Sequence, residues 1–460
     1  MLYFGREVGL QLIKINVEWN KERRCKMIYP MQPKFGIGFT STDLLSADMV
    51  EGYRYEQVGH HHNYHVTKDR WDWPVKLAPS ESRIVVDGFS PNLNKELHVG
   101  HLRNLALANA LQNMMKSQSD TKFVALLGTS LGVKKSALQG WKKWTEFTGY
   151  SPEVYYDTAL PDDSIKTREP TVVEGGVIDV NEGPDLALPQ LWDGPNGPVI
   201  VKRADGTPLY AHHDLSFSDW VNPTHYITGH EQREHFASLG FEKKHLSMGL
   251  VMGADGKKLK SREGTALSAS DAVELVMKNL NERDEKLAWN VLAWNLLQPA
   301  REKNVKFESE KWCRPESPGM YISYTYARAY SALGRRVSKA KVECHMTRCR
   351  LREYMPVSVA TRPNAPTEDD EYEIQPLTEL DIRLLGMSEQ YLYYFYQAVE
   401  KFDPSPVANF AHTLAREIGA AYEKEQIYNG RPAFAATMNH ALWRLSHCMK
   451  DLGMFPISNV

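Results

Sequence analysis

Only five cysteines occur in 460 residues, at Cys25, Cys313, Cys344, Cys349 and Cys448, and no two form a CxxC pair. That scarcity excludes a disulfide framework and a zinc ribbon, and it suits reduced thiols in the cytoplasm. Cys344 and Cys349 flank His345 too loosely for a metal motif, so no metal site is expected. No apolar stretch approaches the roughly 20 residues of a membrane helix; Phe123–Leu127 (FVALL) is typical of the longest. Charges interrupt the chain throughout its first two dozen residues, so no secretory leader is expected. Net charge is slight as well: 55 Lys and Arg face 57 acids, a formal −2. This excludes a basic nucleic-acid coat and an acidic tail protein, while a local basic face for RNA stays open.

A 42% hydrophobic and 24% charged composition is that of a folded globular protein, and the length allows two to four domains. Residues 1–80 read as a separate piece of short β-type runs, such as Gly9–Val17, and turn-rich stretches. Their histidine cluster, His60, His61, His62 and His65, has no cysteine or carboxylate partners at ligand spacing and reads as a solvated loop.

From Ser82 the pattern becomes α/β. Ile84–Asp87 is a short buried-strand signal, followed by the turn-rich GFSPNLNKE and then a helix with apolar residues at Leu107, Ala110, Leu111, Met114 and Met115. Strand, turn and helix open a βα unit of a parallel sheet. Further strands are expected at 122–127, 199–202, 225–228 and 245–252, with helices at 133–147 and 231–240. The expected fold is a Rossmann-type parallel-sheet domain over 81–268, a helical connection over 269–309 and an all-α domain over 310–460. Its helices are expected at 321–337, 381–402, 407–422 and 434–452. A basic run, Arg335–Arg352, and a Pro- and acid-rich stretch, Val357–Glu373, interrupt that helical domain.

Two motifs carry the chemistry. The first is Ser90-Pro-Asn-Leu-Asn-Lys-Glu-Leu-His98-Val-Gly-His101, at the strand-to-helix turn. A helix N-terminus offers free N–H groups and a positive dipole end to an anion. Two histidines there can face a triphosphate, and Gly100 lets a flat ring approach the backbone. The second is Gly256-Lys-Lys-Leu-Lys260-Ser261-Arg262-Glu-Gly264, a basic loop between glycines suited to phosphates.

Together these strings resemble the HIGH and KMSKS signatures of class I aminoacyl-tRNA synthetases. The flanking residues are most similar to the arginyl-tRNA synthetase family: SPNLNKELHVGHLRN, KRADGTPLYAHHDL, HYITGHEQREHF (225–236) and GMYISYTYARA (319–329). The resemblance covers about 81–460. It implies ATP-dependent ligation of L-arginine to its cognate tRNA through an arginyl-adenylate, with Mg²⁺ arriving on the ATP. It further implies a cytoplasmic, soluble monomer with an anticodon-binding helical domain. His98, His101, Lys95, Lys258 and Lys260 are the implied catalytic residues. Gly100, Gly229, Gly249, Ser261 and Arg262 would bind ATP. Asp87, Asn92, Tyr210, Asp214 and Gln232 would bind arginine, with Tyr210 and Asp214 at i, i+4 on one helix face. Tyr321, Tyr324, Arg328, Arg335 and Arg336 would contact tRNA.

The sequence departs from the family pattern twice. Ser261 replaces the second lysine of KMSKS, a loss for which Lys95, just upstream of His98, would compensate. Leu126–Gly132 (LLGTSLG) stands where GDWGTQFG is usual, keeping Gly128, Thr129 and Gly132. Two alternatives follow: a paralogue with another amino acid or acceptor, and a non-catalytic tRNA-binding protein of the same fold.

Overall fold

The structure, a computed structural model, describes residues 83–116, 121–161, 165–168, 188–257, 267–281, 283–337, 378–427 and 431–458, and four strands within 28–66. Those four are β1 (Ile28–Pro30), β2 (Gly38–Ser41), β3 (Tyr53–Val58) and β4 (His61–Val66). They form an antiparallel sheet in the order β1-β2-β4-β3. The histidine cluster is therefore largely strand, not loop. His61, His62 and His65 lie on β4, and His60 lies outside the described residues.

The central sheet is parallel throughout. It comprises β5 (Ile84–Asp87), β6 (Thr121–Leu127), β7 (Glu153–Tyr156), β10 (His225–Gly229) and β11 (His245–Met248). Its order is β11-β10-β5-β6-β7. From β5 the chain winds outward through β6 and β7, then returns to β5's other side for β10 and β11. That reversal makes a topological switch point, and ligands of such sheets bind in the crevice at the strands' carboxyl ends. Asp87 ends β5 and Gly229 ends β10, so both stand at this crevice.

Two strand expectations are corrected. Residues 199–202 do not join the parallel sheet; β8 (Gln190–Gly194) and β9 (Gly197–Lys202) form a separate antiparallel hairpin, and β7 takes the sheet edge. The expected strand 245–252 breaks at Gly249 into β11 and β12 (Val251–Met252), which pairs with β13 (Val305–Lys306). Gly249 approaches the main chain so closely that a Cβ would lie 2.3 Å from the Lys303 carbonyl oxygen.

The helices of the α/β part are α1 (Val99–Met115), α2 (Lys135–Thr148), α3 (Tyr210–Val221) and α4 (Arg233–Ser238). α1 is buried on nearly every face, including Arg103 and Asn109, so its apolar residues are spread around the helix and not confined to one stripe. Beyond it come α5 (Ala269–Leu280), α6 (Glu285–Leu297), α7 (Ser309–Trp312), α8 (Pro318–Val337), α9 (Glu379–Glu389), α10 (Tyr391–Lys401), α11 (Ser405–Lys424) and α12 (Pro432–Asp451). The expected single helix 381–402 is two, α9 and α10, meeting at Gln390.

One continuous apolar core joins α1 to this bundle, through Trp289, Leu292, Phe410 and Leu445. Trp289 Nε1–H donates to the Gly453 carbonyl at 2.9 Å, and Asn113 Nδ2–H to the Lys450 carbonyl at 3.0 Å. Among the described residues no helix is long and apolar enough to cross a membrane.

Candidate active site

His98 is the N-cap of α1, and His101 is its third residue. The Gly100 N–H donates to His98 Nδ1 at 3.1 Å, and the His98 N–H donates to His101 Nδ1 at 3.1 Å. This is a capping box built from two imidazoles, with ring centroids 4.0 Å apart. An acceptor at Nδ1 places each neutral ring's proton on Nε2. Both rings stay neutral near pH 7. Burial lowers His98, helped by the Lys95 ammonium and opposed by Glu231; burial, then His98 and Lys95, pulls His101 down to about 3. The pair is thus a set of two Nε2–H donors, with the charge of exposed Lys95 felt by both.

The expected free N–H groups at this helix end are spent. Val99 N–H goes to the Leu267 carbonyl at 3.0 Å, Gly100 to His98 Nδ1, and His101 and Leu102 to the His98 carbonyl. These main-chain amides are therefore not free for an anion. The Val99–Leu267 bond, with Ala269 N–H to the Leu97 carbonyl at 2.9 Å, also ties the chain just after the basic loop to the His98 turn. Lys258, Lys260, Ser261 and Arg262 themselves lie outside the described residues.

Asp87 is 6% exposed at the end of β5. Ser90 Oγ–H donates to its Oδ1 and accepts from Leu126 N–H at 2.9 Å. Burial pushes the Asp87 carboxyl up to about 7; the Ser90 bond resists this, and the negative charge of Asp214 adds to it. Two carboxylates from different elements therefore act on the same region. Asp214 lies one turn into α3 and accepts from His235 Nε2–H at 2.7 Å. Tyr210 opens that helix and is 46% exposed.

Asn92 bridges to Gly128, where any Cβ would lie 1.9 Å from Asn92 Oδ1. That contact requires the glycine which the altered 126–132 stretch retains. The rest of that stretch is held by Asp157, at the end of β7. Its carboxylate accepts from Thr129 N–H (2.7 Å) and Oγ1–H (2.6 Å), and from Ser130 N–H (3.0 Å) and Oγ–H (2.7 Å). Burial works against ionisation there, but these four donors hold the carboxyl below its usual range.

Gly229 and Gln232 bracket the 3₁₀ turn after β10, and Glu231 within it acts on His98. Gly249 stands apart, packed on the Lys303 and Asn304 main chain. On α8, Tyr324 is exposed, whereas Tyr321 lies against Gly419 and Arg328 covers the Tyr422 ring at 4.5 Å. Arg335 and Arg336 belong to the same helix, and their side chains lie outside the described residues. Sequence reasoning gave no role to Ser90, Asp157, His235 or Arg103. Ser90, His235 and Arg103 lay inside motif strings, but nothing in the spacing announced Asp157. Among the described residues no group of three or more His, Cys, Asp or Glu is placed to hold a metal ion.

No protein-family model matches the sequence. Curated relatives do. The chain is 23% identical to the arginine–tRNA ligase of Bacteroides thetaiotaomicron and 27% identical to that of Parabacteroides distasonis, each over 76% of this chain and 75% of the relative. Several further ligases of that name are matched over 62 to 63% of their own length. Among solved structures, the Thermus thermophilus arginyl-tRNA synthetase superposes with a TM-score of 0.60 at 13% identity, over 95% of this chain and 96% of that one. In sequence and in fold the chain is similar to arginyl-tRNA synthetases. The HxGH turn, Asp87 and Gly229 share one crevice, at the place where a doubly wound sheet binds its ligand.

Proposed function

We propose that the protein joins L-arginine to its cognate tRNA. The arginine carboxylate attacks the α-phosphorus of ATP, a P–O bond forms, and pyrophosphate leaves. The arginyl group then passes from the adenylate to the terminal ribose of tRNA, releasing AMP. The observation that carries this reading is the pairing of two chemistries at one crevice. Asp87 and Asp214 supply negative charge for a guanidinium, and His98, His101 and Lys95 supply donors for a triphosphate.

Phosphoryl and adenylyl transfers of this kind depend on positioning and charge stabilisation more than on a protein nucleophile. Neutral imidazoles with fixed Nε2–H protons suit that task, because they stabilise developing negative charge without exchanging protons. A guanidinium is planar and rewards carboxylates with bidentate, charge-assisted bonds. Tyr210, Asn92 and Gln232 would complete the arginine site, with Asn92 and Gln232 at the amino acid's backbone end. Gly100 and Gly229 would pass beneath the nucleotide. Mg²⁺ would arrive on the ATP phosphates. The basic loop Lys258–Arg262 would close the phosphate side, residues 81–268 acting as the catalytic domain. The helical domain, with Tyr324 exposed on α8, would hold tRNA, in a cytoplasmic monomer.

Pyrophosphate exchange with purified protein, ATP–Mg²⁺ and each of the twenty amino acids, with and without total tRNA, tests the reading. Exchange with arginine alone among the amino acids is expected. Exchange with a different amino acid would replace the substrate, and no exchange in folded protein would replace the activity.

A further inference from the structure

Arg103 is 2% exposed, on the helix that begins at the HxGH turn. Its partners are all main-chain carbonyls from other parts of the chain. Nη1–H donates to the Gly249 oxygen at 2.7 Å, Nε–H to Leu296 at 3.2 Å and Nη2–H to Arg301 at 3.3 Å. Burying a charge is costly unless its hydrogen bonds are met. Burial lowers this group only to about 10, with Asp403 opposing, so it remains a cation at neutral pH.

These carbonyls are not scattered. Gly249 begins the segment that runs through β12 into the Gly256–Gly264 basic stretch. Leu296 and Arg301 flank the turn that leaves α6 and continues to β13, the partner of β12. Gly249 N–H in turn donates to the Arg301 carbonyl at 2.9 Å, and Leu250 N–H to Asn304 Oδ1 at 2.8 Å. Arg301 N–H reaches Asp403 Oδ2 at 3.0 Å, on the turn between α10 and α11. One buried fork thus joins the helix that carries His98 and His101 to the strand that leads into the second phosphate-directed motif. The arginine-directed residues Asp87, Tyr210 and Asp214 sit on other elements, outside this joint.

We infer that Arg103 is a positioning residue for the nucleotide half of the reaction: it sets the distance between the HxGH helix and the β12 segment, and leaves the arginine half untouched. The inference rests on the ligase reading. A lysine cannot span three carbonyls arranged around a planar fork, so it retains the charge but loses the geometry.

The test compares wild type with Arg103→Lys, Arg103→Met and Asn304→Ala in steady-state pyrophosphate exchange, alongside melting temperature. Arg103→Met is expected to lower kcat at least tenfold and raise the KM for ATP at least threefold, with the KM for arginine within twofold; Arg103→Lys falls between. A merely structural residue would lower the melting temperature and the amount of active protein while leaving both KM values alone. Folded Arg103→Met with unchanged kcat and ATP KM, or with both KM values rising together, overturns the inference. Should the Arg103 variants fail to fold, exposed Asn304 holds the same segment from its other side. Asn304→Ala is then expected to raise the ATP KM at least twofold at unchanged melting temperature, and no rise overturns the inference. If wild type supports no exchange, the ligase reading has failed, and ATP affinity by equilibrium dialysis decides separately. Weakening of at least threefold in Arg103→Met or Asn304→Ala supports the positioning role, and equal affinity ends it.

Discussion

His98 and His101 cap one another: each imidazole takes a main-chain N–H at Nδ1, at 3.1 Å, and keeps its own proton on Nε2. The relationship gives the HxGH turn a structural duty besides its chemical one. His101→Ala removes both a cap and an Nε2–H donor. Losing the cap costs about 1 kcal/mol of stability. Adenylate formation should fall about a hundredfold, in the range found when a single oxyanion donor is removed. Affinity for tRNA, measured by filter binding, should stay within about twofold, because the lost contact acts on ATP in the transition state.

The pH dependence follows from Asp87. Its carboxyl is raised to about 7 in the folded protein, from an ordinary value of 3.8. Near pH 6 it is largely protonated, and near pH 8 largely ionised. A guanidinium binds the ionised form, so the KM for arginine should fall as pH rises from 6 to 8. Stability without ligand should run the other way, falling as pH climbs from about 4 through about 7, because the folded state holds the proton that the unfolded state has released. Asp87→Asn should flatten the KM profile and reduce the slope of the thermal melts, whose remaining part comes from buried Asp451, also raised to about 7. His101 contributes no limb in this window, since burial holds it at about 3, and burial likewise moves His98 downward.

Lys95 is exposed, yet its charge acts on both imidazoles. With Ser261 in the place of a loop lysine, Lys95→Ala should slow adenylate formation at least tenfold, about 1.4 kcal/mol in the barrier. A smaller change in single-turnover rate would remove Lys95 from the phosphate site.

Asp214 is held by His235 at 2.7 Å before any substrate arrives. Asp214→Asn keeps the shape but loses the charge, and a hydrogen bond to a charged group contributes roughly 1.5–3 kcal/mol. The KM for arginine should rise between about ten- and a hundredfold with ATP KM unchanged. His235→Gln, which disturbs only the orientation of the carboxylate, should produce a smaller rise of the same kind. An unchanged arginine KM in Asp214→Asn would relocate the pocket.

Sequence alone determined the parts of this protein whose physics is local. Alternating strand and helix periodicities announced the parallel sheet, since β5, β6, β10 and α1 each bury residues at spacings visible in the chain. The HxGH and basic-loop strings marked the chemistry, because turn and helix-start residues carry their own signatures. What it misread were choices between long-range partners. Whether 199–202 pairs with β6 or with β8 depends on which edge is free, and the break at Gly249 exists only because the Lys303 main chain crosses there. The tertiary structure alone decided that four donors of Thr129 and Ser130 converge on Asp157, that Asp87 and Asp214 share one field, and that Arg103 joins three carbonyls up to 198 residues away in sequence. Hydrogen bonds and charges act over a few ångströms regardless of chain distance, so no periodicity or spacing along the sequence encodes them.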